Sequence, residues 1–242
     1  MTTTKTTTYT KEEIKTLQAY AKAECERVEK ETPGITVLNV SDGNKKLVPN
    51  PETAFIIWNL PARITCPYAT EECNKHCYAV KAEKAYPQVL PSRMENLKAS
   101  KAEDFRIRML YTILKVLAKS RKNNIVMRIH ESGDFYTRKY AMDFIWIANN
   151  INDPRLHFMA YSKSFPFFDG ITIPENFTLR ASIWNDTSEK QKTLVKINAW
   201  PIYTAVEKFT ECDNFTQCRC SDCATCGKCW DKSIKDIRCE IH

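Results

Sequence analysis

Nowhere in the 242 residues does the chain hold the ~20 consecutive apolar residues of a membrane-spanning helix. The opening MTTTKTTTYT also lacks the apolar core of a secretory signal. A soluble, cytoplasmic protein with no membrane partner is therefore expected. An even set of cysteines is missing too: eleven cannot all pair. In a reducing cytosol, closely spaced thiols are more often metal ligands or redox groups than disulfides. Charge of one sign does not dominate, since 36 Lys and Arg stand against 29 Asp and Glu, for a formal net charge of +7. That excess makes nucleic acid a candidate partner. It is overstated if the thiols are ligands, because four thiolates on zinc or on a [4Fe-4S] core leave about minus two per site.

What the chain does have is cysteine in two places. Seven of the eleven lie in the last thirty-one residues, and five fall within CRCSDCATCGKC, from Cys218 to Cys229. There Cys223-x2-Cys226-x2-Cys229 repeats the run of ferredoxin-type sites, and Cys212, Cys218 or Cys220 could supply a fourth thiolate. Zinc is the competing metal in this tail, because paired Cys-x2-Cys knuckles also make a tetrahedral site. Cys239 is the expected spare. The upstream group, Cys66-x6-Cys73-x3-Cys77, offers three thiolates on one stretch, enough for three irons of a cube with the fourth left open. Zinc with His76 or a distant cysteine as fourth ligand is the alternative there.

Thr10 and Glu13 form a capping box, and Ile14, Leu17, Ala21, Cys25 and Val28 recur at helical spacing. A helix ending near Pro33-Gly34 follows, with Cys25 in its buried stripe. ITVLNV (35–40) and KKLV (45–48) around SDGN predict a hairpin. Strands are predicted at AFIIWNL (54–60), IVMRI (125–129), LHFMAY (156–161), FTLRASI (177–183) and INAWPIYTA (197–205). Helices are predicted at 101–120, capped by Ser100 and Glu103, after Thr137, and more weakly near 164–170 and 187–195. This alternation predicts an α/β fold, a partial barrel of parallel strands. The expected organisation is an N-terminal helix and hairpin over 1–50, the half-barrel over 51–206, and a cysteine-rich metal-binding tail over 207–242.

In such a series all strands end on one face, where the residues after each strand should meet. The upstream cysteines would then lie beside His130, Glu131 and Asp134, candidates for proton transfer. Ser132 and Gly133 would hold a polar cofactor, the glycine by letting backbone pass close to it. Lys163 would meet a phosphate or carboxylate, and Arg180, inside a strand, suggests a buried pair or an anion contact. The tryptophans read as core packing.

With CPYATEECNKHCYAVKAEKAYPQVLPSRMENL, MRIHESGDFYTRKY and CSDCATCGKCW, the chain resembles the phage gene product 88 family over about residues 55 to 230. The resemblance implies a protein of phages and mobile elements, acting in the host cytoplasm. Its cysteine pattern falls on Cys66, Cys73 and Cys77, then Cys212, Cys223, Cys226 and Cys229; Cys218 and Cys220 look like additions. A more distant likeness is to radical S-adenosylmethionine enzymes, whose partial barrel carries a three-cysteine loop after its first strand. Here the spacing departs from their usual Cys-x3-Cys-x2-Cys. What these likenesses imply is an iron-sulfur protein with one or two [4Fe-4S] clusters and S-adenosylmethionine as a candidate cofactor. The alternative is a zinc-binding, non-enzymatic protein that grips nucleic acid or a host protein.

Overall fold

The computed structural model describes residues 8–209, 215–219 and 222–241. Helix α1 (Lys11–Glu31) opens on the predicted capping box, with Thr10 and Glu13 bonded reciprocally, and buries Ala21, Cys25 and Val28. Five predicted strands form as β1 (Thr53–Trp58), β2 (Asn124–Ile129), β3 (Leu156–Ser162), β4 (Phe177–Ile183) and β5 (Ile202–Val206). Between them lie α2 (Glu71–Lys75), α3 (Tyr78–Ala85), α4 (Val89–Ser100), α5 (Phe105–Lys119), α6 (Arg138–Asn149) and α7 (Glu189–Ile197). The tail adds β6 (Thr216–Gln217), α8 (Cys223–Cys226) and β7 (Asp236–Glu240). All seven strands are parallel, in the order β1-β2-β3-β4-β5-β7-β6, and the sheet curls into a half-barrel.

Alternation along each strand separates two apolar layers. Ile56, Trp58, Met127, Ile129, Phe158, Ala160, Phe177 and Leu179 face the helices in the main core. Phe55, Ile57, Val126 and Met159 face the concave side, where Leu47, Ala224, Cys223, Cys229 and Trp230 cover them. Residues 223–230 of the cysteine-rich tail thus fill the concave side of the half-barrel, and two other tail segments join the sheet edge.

Three local expectations fail for identifiable reasons. No hairpin forms over 35–48: Leu38 turns to α5, its N–H donating to Thr112 Oγ1 at 2.8 Å, while Ser41 makes a single antiparallel bridge to Ile57. Asn44 Oδ1 accepts from the N–H groups of Lys46 and Leu47, closing a local turn instead. Ser100 does not cap a helix at 101, because residues 89–100 form their own helix and its Oγ donates back to Leu97 O at 2.8 Å. The next helix starts at Phe105 behind Asp104, which makes no side-chain cap. The last barrel strand begins at Ile202, since α7 runs on through Ile197 and Ala199 takes a left-handed φ of 50°.

Candidate functional site

The chain leaves β1 into a loop that carries the upstream cysteines. Arg63, at a left-handed φ of 63°, turns the backbone so that Cys66 N–H donates to Arg63 O at 3.1 Å. Thr70 caps α2 by accepting from Cys73 N–H, and Cys77 stands at the start of α3. All three thiols are half-buried. Burial pushes the Cys66 thiol up to about 12, with Asp134, Cys73 and Cys77 adding to the rise. Cys73 is raised as well, mainly by burial; the Lys163 ammonium works against the shift.

The loops after β2, β3 and β4 converge on this stretch. Gly133, at a φ of +80°, passes so close that a Cβ there would lie 2.5 Å from Thr65 Oγ1 and 2.7 Å from Leu60 Cβ. Both the dihedral and the space require glycine. Ser132 O accepts from Leu60 N–H at 3.0 Å and Ser132 Oγ donates to Leu60 O at 2.8 Å, bolting the two loops together. Tyr68 packs edge-on against Phe167, and Asp186 Oδ2 accepts from Glu72 N–H at 2.8 Å.

Asp134 is buried and saturated. Its Oδ1 accepts from Phe135 N–H and Ser162 Oγ, its Oδ2 from the N–H groups of Lys163 and Ser164. Burial outweighs these four bonds and raises its carboxyl above the ordinary range. This residue fastens the loop after β2 to the loop after β3, beside the thiols. Lys163 is also buried; its Nζ donates to Ser182 Oγ at 2.8 Å and lies 5.0 Å from the centre of the Trp184 ring. Burial lowers its pKa, and Cys73 and Asp134 oppose the fall. Ser164 Oγ, wholly buried next to it, has no hydrogen-bond partner.

The other expected residues of the 130–134 stretch look elsewhere. His130 has a left-handed φ of 60° and sits among Phe135, Tyr140 and Phe144 in the helix-side core, its Nε2 2.9 Å from Tyr140 Oη. Burial, helped by the Arg128 charge, lowers its pKa to about 3, so the ring is neutral. Glu131 is held by Asn44 and by Asn59 Nδ2, and its carbonyl accepts from Tyr78 Oη. Arg180 lies on the concave face, where its guanidinium donates to the carbonyls of Lys228, Cys229, Asp231 and Ile234 at 2.7 to 3.0 Å. It is a clamp on the tail.

Of the tail thiols, Cys223 and Cys229 pack against the concave layer, Cys226 closes the same turn as Cys223, and Cys212 and Cys220 fall outside the described residues. Among the described residues no group of three His, Cys, Asp or Glu side chains already stands in a metal-holding arrangement. His76, considered as a zinc ligand, pairs with Glu72 at 3.4 Å and stacks on Trp184. The three upstream thiols lie on one stretch of chain, Cys66 within electrostatic reach of Cys73 and Cys77, and Cys73 of the Lys163 ammonium.

Sequence reasoning passed over Asn59, whose Oδ1 accepts from the N–H groups of Glu131 and Ser132, and it assigned Trp184 to the core. An amide at the exit of a strand and an aromatic two residues before Asp186 were the available signals.

Fold and mouth together define an α/β half-barrel protein with a three-cysteine loop at the carboxyl ends of its strands. The family Gene product 88 matches residues 37–232, and the chain belongs to it. No curated protein and no solved structure matches the chain. No described helix is long and apolar enough to cross a membrane.

Proposed function

We propose that this chain is an iron-sulfur protein in which Cys66, Cys73 and Cys77 hold a [4Fe-4S] cluster with one iron left open for a ligand, in the manner of radical S-adenosylmethionine enzymes. What supports the reading is a loop with three thiols at the strand ends, with Lys163 and Asp134 within electrostatic reach of it. When bound, such a cluster supplies one-electron chemistry. The chain's own residues supply the frame around it. Asp134 holds the neighbouring loops in register, and Lys163 offsets thiolate charge. Trp184 and His76 form a stacked wall on which a planar ligand group could rest.

Anaerobic reconstitution with ferrous iron and sulfide tests this reading. About four irons and four sulfides per upstream site are expected, lost in C66S, C73S and C77S, and S-adenosylmethionine should perturb the spectrum of the loaded protein. Stoichiometric zinc with no uptake of iron would sink it. The +7 formal charge favours a second reading, a zinc-stabilised protein that binds nucleic acid. That version requires affinity for DNA or RNA that falls steeply with salt.

A further inference from the structure

Among the described residues three arginines are buried, and the fold answers two of them. Arg155 is bonded to Asp153 through Nε at 3.0 Å and Nη2 at 2.7 Å, and to the carbonyls of Ser120 and Leu117. Arg180 gives its donors to four tail carbonyls and has Asp231 and Asp236 within electrostatic reach. Arg128, on β2, is the exception. It is 6 % exposed, its Nη1 is buried without a hydrogen-bond partner, and among the described residues no carboxylate pairs with it. Its guanidinium carbon lies 4.1 Å from the centre of the Tyr161 ring, a contact that offsets part of the lost hydration and satisfies none of the N–H donors. The nearby groups that could answer it are engaged or neutral. Glu131 is held by Asn44 and by Asn59 Nδ2, and burial raises the thiols of Cys223 and Cys229, which favours their uncharged form.

Arg128 begins a row of polar and aromatic side chains that crosses the sheet. Tyr161 of β3 stacks on Tyr203 of β5, with ring centres 4.2 Å apart and planes 14° from parallel. Tyr203 is paired in register with Ser182 of β4, and Ser182 Oγ accepts from Lys163 Nζ at 2.8 Å. A continuous chain of contacts thus links Arg128 to Lys163. Lys163 is buried as well, but Asp134 and Asp186 lie within its electrostatic reach, so its charge is better answered than that of Arg128. Tyr161 and Tyr203 are half-buried, which keeps the row in contact with solvent.

We propose that this row binds an oxyanion, the carboxylate or phosphate of a small molecule, in the fork of Arg128. A planar guanidinium with free donors takes such a group through two parallel hydrogen bonds. The anion supplies the charge that the buried cation lacks, and the aromatic wall strengthens the attraction by lowering the local dielectric. Lys163 adds a second positive charge at the other end of the row. The site uses no cysteine, so it stands whether or not the loop of Cys66, Cys73 and Cys77 holds a cluster.

The test titrates the full chain, without added metal and at fixed ionic strength, with inorganic phosphate and with succinate, and reads binding by calorimetry. A saturable site is expected for at least one of the two, and the tighter probe identifies the group as phosphate or carboxylate. R128M removes a buried charge that has no partner, a change the fold should tolerate, and should weaken binding roughly tenfold. R128K, which keeps the charge and loses the fork, should weaken it about fivefold. K163M should weaken it about threefold through charge alone. R121Q, at an exposed position before the amino end of β2, should bind as the native chain does. Failure of the native chain to bind either probe saturably overturns the proposal. So does native affinity in R128M or R128K, or a loss in R121Q as large as that in R128M.

Discussion

The two thiol regions differ in how the fold holds them. The upstream loop hangs at the rim, tied by backbone bonds from Leu60 and Glu72 and by one close glycine, with its thiols half-open. The tail lies inside the curl, held through Arg180 by four carbonyls and by Trp230 against Phe55. The rim loop can shift while the sheet stays packed. The tail segment cannot leave without uncovering the concave apolar layer.

Breaking the clamp should have the largest effect. Arg180→Ala removes the donor from four part-buried carbonyls and a buried cation from the concave face, and a loss of about 3–5 kcal/mol is expected in chemical denaturation. The tail cysteines should then alkylate quickly. Loss of stability without faster tail labelling would contradict the inner placement. At the rim, Asp134→Ala orphans the donors of Phe135, Ser162, Lys163 and Ser164, and about 3 kcal/mol is expected. Here Cys66 and Cys73 should become more reactive while the tail stays protected.

His130 gives a pH signature belonging to neither thiol region. Its folded pKa, about 3, lies below the ordinary 6.5. The unfolded chain therefore takes up the proton first, and stability is lost as pH falls from 6.5 toward 3. By pH 5 the loss is about 2 kcal/mol. His130→Phe should flatten the stability profile across that window, and an unchanged slope would refute the burial account. Gly133→Ala should show the smallest effect, about 1–2 kcal/mol from backbone strain and the clash with Thr65 and Leu60. Its readout is a displaced Cys66 loop, seen as lower metal affinity at the rim with the tail unaffected.

Much of the scaffold was legible because it rests on local rules. The capping box at Thr10, the cap at Thr137 and the strand at 177–183 depend on residues within a few positions of each other. The hairpin expectation failed because Leu38 had a better partner 74 residues away, which no local pattern could reveal. The rim was partly legible as well. Parallel strands oblige the ends of β1, β2, β3 and β4 to share a face, so Cys66, Asp134 and Lys163 were expected together. The direction of each side chain was not legible. His130 turned into the aromatic core, while Trp184, taken for core, came out beside Lys163.

An α/β chain of parallel strands with thiols in two places could be read from the residue order alone, because strand alternation, helix spacing and cysteine grouping are properties of neighbouring residues. That residues 223–230 lie in the curl, with Arg180 clamping four tail carbonyls, depends instead on how the sheet curls and on where residues about 50 positions apart come to rest, which no local pattern carries.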